Sequence, residues 1–325
     1  TISIWMMRFY DRRAVGRYLT ISRYFVTNCC VIYKTIIPTL FTYFRMNKKS
    51  PVLRENKLRA LLEKGEPTLG THLQSSWAAF VEAVGNSEMF DYVEFTSVYA
   101  PFDLYALENI ARAAENYEMS TMIKVDPEPK NFLAQRAVGA GFQSVLFADL
   151  RSVDEVREAI RSVRPEPENW NGCWAHRIEG FSMESGSKRF VDYAKDLVIA
   201  VMIEKKPLYD KLEDVLNLND VDMIQFGPCD FAMSLGVPGE FTNPKVAEAE
   251  ENTIRLALKY DKHPRVELES GEFDFGGAGV EAFQKKMQRY IDMGVRDFCI
   301  GTDIVVFYNW LKQYGKSARK SLGTL

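Results

Sequence analysis

Asp196-Leu197-Val198-Ile199-Ala200-Val201-Met202-Ile203-Glu204 is an unbroken run of seven apolar residues between two carboxylates. A strand with one wet face would alternate polar and apolar side chains. This run does not alternate and is rich in β-branched residues, so it predicts a strand buried on both faces, as in a parallel sheet covered by helices. A carboxylate placed directly after such a run must meet a cation or lose its charge, which makes Glu204 the first residue to follow.

Similar runs recur on either side of this one. The pattern predicts strands at Thr68–Leu73, Phe90–Phe95, Thr121–Val125, Ser144–Phe147, Leu197–Ile203, Asp222–Phe226, Arg265–Leu268 and Asp297–Ile300. Amphipathic stretches with helix signals lie between them. Ser152-Val153-Asp154-Glu155 reads as a capping box ahead of Val156, Ile160 and Val163. Asn243-Pro244 reads as an N-cap with proline at the first helical position. Asp103 can cap a helix through Leu104, Leu107 and Ile110, and Gly294 can end one carrying Phe283, Met287 and Ile291. Eight strand–helix units of an α/β chain close most naturally into a (β/α)8 barrel. The rival, an open doubly wound sheet, loses support because neither G-x-G-x-x-G nor G-x-x-x-x-G-K-[ST] is present.

Composition fits that architecture. The chain has 325 residues, 46% of them hydrophobic and 26% charged, with a net charge of −3. That supports a full core and argues against disorder and against a nucleic-acid partner. Five cysteines at irregular spacing suit neither a disulfide framework nor a structural zinc site, and they favour a reducing, cytoplasmic setting. Residues 1–45 differ: seven basic residues face one acid, Asp11, in a background of aromatics and isoleucines. The run Tyr24 to Phe44 is broken by Lys34 and Pro38, which makes a poor membrane span. Met46-Asn47-Lys48-Lys49 reads as an ordinary start, so residues 1–45 are expected to be an extension ahead of a single domain at 46–325, with no membrane contact expected for the latter.

In a barrel, chemistry collects at the C-terminal strand ends. There the sequence offers His72, Thr96, Tyr99, Lys124, Asp126, Asp149, Glu204, the Gly227-Pro228-Cys229-Asp230 turn, Glu267, Glu269, Thr302 and Asp303. Glu204 and Asp230 could hold a hard cation such as Mg2+ or Mn2+, since oxygen donors suit those ions better than zinc. The competing reading gives Glu204 a salt bridge to Lys205, Lys206 or Arg177, and makes Asp230 a helix cap. The long stretch from Pro165 to Asp196 reads as a loop over the active face, together with Ser270–Gly279.

Leu69-Gly70-Thr71, Phe90-Asp91-Tyr92-Val93, Ala100-Pro101-Phe102-Asp103-Leu104, Ile203-Glu204, Gly227-Pro228-Cys229-Asp230-Phe231-Ala232-Met233-Ser234-Leu235-Gly236 and Gly301-Thr302-Asp303 resemble, in order, the HpcH/HpaI aldolase/citrate lyase family. The resemblance implies a TIM barrel of the phosphoenolpyruvate/pyruvate-binding type, assembled as a homo-oligomer, often a hexamer. It implies a divalent cation (Mg2+ or Mn2+, or Co2+) held by Glu204 and Asp230, and a small-molecule 2-oxo acid substrate. Gly227, Pro228 and Cys229 would hold the substrate carboxylate, with Arg177 as a further substrate-binding candidate. The implied reaction is cleavage of a 4-hydroxy-2-oxo acid to pyruvate and an aldehyde. Departures lie in the proton-transfer half. The family's base, a histidine before Gly/Ala-Pro, is here Tyr99, and its arginine after the third strand is Lys124. Its glutamine before the Glu is Met202, and an acidic residue of the third helix matches Gly139. Tyrosine, with a reference pKa of about 10, is a poor base near neutrality. His72 or His176 could replace it, Tyr99 could donate a proton, and Lys124 could form a Schiff base. The alternative is a barrel that binds 2-oxo acids without turning them over.

Overall fold

The structure is a computed structural model that describes residues 53–125, 127–172, 177–181, 183–268 and 277–325. The expectations for residues 1–45, Asp126, Cys173, His176, Glu269 and most of Ser270–Gly279 lie outside the described residues.

Eight parallel strands form a closed barrel in sequence order. They are β1 (Thr68–Leu73), β2 (Tyr92–Thr96), β3 (Ser120–Val125), β4 (Ser144–Phe147), β5 (Val198–Ile203), β6 (Met223–Phe226), β7 (His263–Leu268) and β8 (Asp297–Thr302). β8 pairs with β1 to close the ring, with a register shift between Gly70 and His72. The helices are α1 (Lys57–Glu63), α2 (Ala78–Asn86), α3 (Leu104–Glu115), α4 (Lys130–Ala140), α5 (Val153–Val163), α6 (Lys188–Lys195), α7 (Lys206–Tyr209), α8 (Leu212–Leu216), α9 (Pro228–Leu235), α10 (Pro244–Lys259), α11 (Gly277–Asp292) and α12 (Asp303–Ser321). Among the described residues, no helix is long and apolar enough to cross a membrane.

Strand alternation splits the core in two. Ile199, Val201 and Ile203 point outward into the layer under the helices, beside Val145, Phe147 and Ile224. Val198, Ala200 and Met202 point inward and pack with Tyr92, Met122, Leu146 and Met223 along the barrel axis. Glu204 continues the inward series, so the alternation of β5 delivers its carboxylate to the mouth. The other end of the barrel is stoppered by α1: Leu58 and Leu62 join the inward cluster. Asn56 caps α1 by accepting from Arg59 N, and Arg59 clamps Asp222 at 2.6 and 2.7 Å. Each buried leucine contributes roughly 1.5–3 kcal/mol, so the plug is a stable floor and the cavity can open only at the opposite end.

Candidate functional site

A cavity of about 580 Å³ extends from the C-terminal end of the barrel, where His72, Thr96, Tyr99, Lys124, Glu204 and Asp230 line it, past β7 to Thr253 of α10 and Tyr290 of α11. Glu204 is 2% exposed. Its Oε1 accepts the backbone N–H of Asp149 at 2.6 Å. Asp149 sits at φ +58°, a left-handed conformation that is uncommon for a residue with a Cβ and is tolerated best by Asn and Asp. That twist at the end of β4 accompanies an amide aimed at the carboxylate. On the other flank, a Cβ at Gly227 would lie 2.8 Å from both Cβ and Oε2 of Glu204, so only glycine fits there. Burial pushes the Glu204 pKa up; the Lys124 charge and the Asp149 amide oppose this, and the charges of Asp149 and Asp230 reinforce it.

Asp230 lies in the first turn of α9, with Gly227 as the N-cap residue. It is not the cap, because helical geometry begins at Pro228. Its Oδ1 accepts from Lys205 Nζ at 2.6 Å, and the same ammonium lies 2.5 Å from Asp149 Oδ1. The salt bridge weighed for Glu204 with Lys205 is therefore made by its neighbours instead. Burial opposes the charge on Lys205, but the bonds to Asp149 and Asp230 outweigh it and raise its pKa. Among the described residues, no hydrogen bond reaches Oε2 of Glu204. A desolvated carboxylate with one uncommitted oxygen, beside Asp230 and Asp149, is an all-oxygen donor set that fits a hard divalent cation.

Lys124, next to last in β3, lines the same cavity as Glu204, two strands away. Burial works against its charge, yet Glu204, Tyr99, Glu94 and Glu267 together hold its pKa above the lysine value. A lysine kept protonated is a poor nucleophile, which weighs against the Schiff-base reading. Its Nζ donates to Tyr99 Oη at 3.4 Å and stands 5.2 Å from the ring centre. Tyr99 itself is in a short 3-10 turn after β2 and is 58% exposed, at the rim.

Below this level lies a buried ion network. His72 Nε2 is 3.7 Å from Glu94 Oε1 and Nδ1 is 3.6 Å from Glu267 Oε1. Arg265 pairs with Glu94 and donates to Gln225 and Tyr92. Ligand-type atoms of His72, Glu94 and Cys299 fall within 4.8 Å of one another. These three atoms form a second candidate donor set, one in which Glu94 is already paired with Arg265. Burial opposes the His72 charge, but Cys299, Glu267 and Glu94 outweigh it and push its pKa up to about 10. A group so shifted keeps its proton near neutrality, which weighs against His72 as a replacement base.

Two further expectations need correction. The stretch from Pro165 to Asp196 joins the end of α5 to the start of β5, so it lies at the plugged end, and none of its described residues lines the cavity. It also contains a helix, α6, capped by Ser187. Arg177 goes with it: its Nη2 grips both oxygens of Glu115 at 2.7 Å and Nη1 donates to Ala140 O at 2.6 Å. It stabilises the helical layer and does not meet a ligand in the cavity. In the Gly227-Pro228-Cys229 turn, Gly227 N–H already donates to Ile203 O and Pro228 has none. Of the three, only Cys229 brings an N–H to the start of α9. Sequence reading missed the roles of Asp149, Lys205, Glu94 and Arg265. A charged side chain at an inward position of a buried strand was the available signal for the last two.

Comparison with known proteins agrees with this geometry. The sequence profile of the family described as HpcH/HpaI aldolase/citrate lyase matches residues 90–263. A hydroxypyruvate/pyruvate aldolase of Agrobacterium fabrum is 22% identical over 79% of this chain and 91% of its own. A 2-keto-3-deoxy-L-rhamnonate aldolase of Escherichia coli O157:H7 is 25% identical over 80% and 92%. Among solved structures, an HpcH/HpaI aldolase of Desulfitobacterium hafniense superposes with a TM-score of 0.71 at 19% identity, covering 82% of this chain and 97% of that one.

Proposed function

Because the chain belongs to the HpcH/HpaI aldolase/citrate lyase family, and is thus an enzyme of the aldolase type, we propose that it cleaves a 4-hydroxy-2-oxo acid into pyruvate and an aldehyde at the mouth of the barrel. The observation that carries this reading is a buried Glu204 carboxylate, one of whose oxygens accepts no hydrogen bond from the described residues, in one cavity with Asp230 and with Lys124, whose charge its acidic neighbours favour.

Glu204 and Asp230 would hold Mg2+ or Mn2+ (or Co2+), and the bound ion would supply Lewis-acid stabilisation of negative charge on a 2-oxo oxygen. Lys124 adds a fixed positive charge. The N-terminus of α9 attracts the substrate carboxylate through the positive end of its helix dipole. Gly227 and Pro228 shape this turn and supply no donor. The phenol of Tyr99 stands at the rim beside Lys124, placed to exchange a proton with the 4-hydroxyl oxygen of a substrate that reaches outward. The chain acts as a homo-oligomer, a reading supported by the wholly exposed apolar stripe of α12.

The test is pyruvate release from a panel of 4-hydroxy-2-oxo acids with Mg2+, Mn2+ or Co2+, then with EDTA, for wild type and Glu204→Ala. Metal-dependent release that disappears in the variant is expected. Absence of release with every metal and every substrate would sink the proposal.

A further inference from the structure

The residue after Glu204 has so far no part in the chemistry. Lys205 is 7% exposed, yet its ammonium is not buried among apolar groups: it sits 2.5 Å from Asp149 Oδ1 and 2.6 Å from Asp230 Oδ1. It thereby joins the ends of β4 and β5 to the first turn of α9, the same three places that present the oxygen donors. Two carboxylates held this close to one point without a cation would repel, even though each side chain is about a third exposed. Lys205 removes that repulsion from within the chain.

We infer that Lys205 is a tethered counter-cation of the metal site: it neutralises Asp149 and Asp230 in the metal-free protein, and a divalent ion has to compete with it for Asp230. The inference rests on the proposed assignment of Glu204 and Asp230 as the metal's ligands. The charge count shows why it matters. Glu204, Asp149 and Asp230 bring three negative charges, and Lys205 and Lys124 bring two positive ones, leaving a net single negative charge. Without Lys205 the same groups would carry two, the complement of a divalent ion. Asp230 Oδ1 is already committed to the ammonium, so one carboxylate oxygen remains for other partners. The consequence is a loosely held, readily exchanged ion, so that occupancy of the site follows the free concentration of divalent metal. The charge of Lys205 sets that threshold.

The experiment is Mn2+ binding to the full chain, followed by the electron paramagnetic resonance signal of free Mn2+, for wild type, Lys205→Met, Lys205→Gln, Lys205→Arg and Glu204→Gln. Removing an adjacent positive charge is expected to tighten Mn2+ binding at least about ten-fold in both neutral variants, while Lys205→Arg stays within roughly three-fold of wild type. Thermal melts with and without Mn2+ accompany the titrations, and the neutral variants are expected to gain more stability from the ion than wild type does. If Glu204→Gln loses Mn2+ but neither neutral variant binds it more tightly, the counter-cation role is overturned while the metal assignment stands. If Lys205→Arg tightens binding as much as the neutral variants, charge is not the cause and the inference is overturned. If Glu204→Gln binds Mn2+ as wild type does, the assignment of Glu204 fails and this inference fails with it.

Discussion

Single residues here act through what they deny as much as through what they offer. Gly227 withholds a side chain so that Glu204 can lie against the backbone of the next strand's turn. Gly227→Ala should therefore keep the fold and displace the carboxylate, and a displacement of about 1 Å at a reacting centre lowers turnover on the order of 10²-fold. The check is kcat for pyruvate release beside an unchanged far-ultraviolet circular dichroism spectrum; wild-type turnover would refute it. His72 gives a pH test. Its pKa in the folded chain is about 10 against an ordinary 6.5. Between those values the native state binds more protons than the unfolded chain. The stability contributed by the imidazolium is thus complete below pH 6.5 and is lost as pH rises through about 10. The melting temperature of wild type should fall relative to that of His72→Gln across this window. Parallel curves for the two proteins would show that His72 carries no charge in the native state.

At the scale of elements, the local signals were legible because they are short-range. Asp103, Ser152 and Asn243 accept from backbone N–H groups at the starts of α3, α5 and α10, as their spacing predicts. The capping box is completed one residue early: Glu155 reaches back to Arg151 N at 2.7 Å rather than to Ser152 N. Ser152→Ala should cost about 1 kcal/mol, typical of a lost N-cap, read as a lower midpoint in urea with an unchanged slope. An unmoved midpoint would contradict it. Strand positions were legible for the same reason, with ends displaced by one or two residues. β2 begins at Tyr92 instead of Phe90, and β8 runs on to Thr302. Direction was harder. The segment between α5 and β5 looked like an active-site loop because it is long, but an αβ connection returns the chain to the starting end of the strands. Asp303, a candidate on position alone, instead accepts from Gln74 N and Ser75 N at 2.9 Å and ties the loop after β1 to the end of β8.

For the whole molecule, the telling feature is what the barrel leaves uncovered. No residue of α12 is buried, and Phe307, Trp310, Leu311 and Tyr314 form an exposed stripe at helical spacing. Such a stripe is costly in water, and exposed apolar patches of this kind are where partner chains dock. If the stripe is a subunit contact, Trp310→Arg should shift the molar mass measured by light scattering toward that of a single chain. An unaltered mass for that variant, in a protein that is oligomeric as wild type, would place the contact elsewhere.

By itself the sequence determined the barrel and the place of Glu204 at the C-terminal end of β5, because unbroken apolar runs and their alternation with helical segments are properties of neighbouring residues; which residues of β5 face inward it did not say. The family likeness added the chemistry expected there. Only the tertiary structure decided who faces whom. Lys205 stands beside Glu204 in the chain, yet it pairs with Asp149 and Asp230, which precede and follow it by dozens of positions. Arg177 turned to Glu115, and His72 met Glu94, Glu267 and Cys299 from three other strands. Charges choose partners by distance in space and by loss of water, and neither is written in the order of residues along the chain.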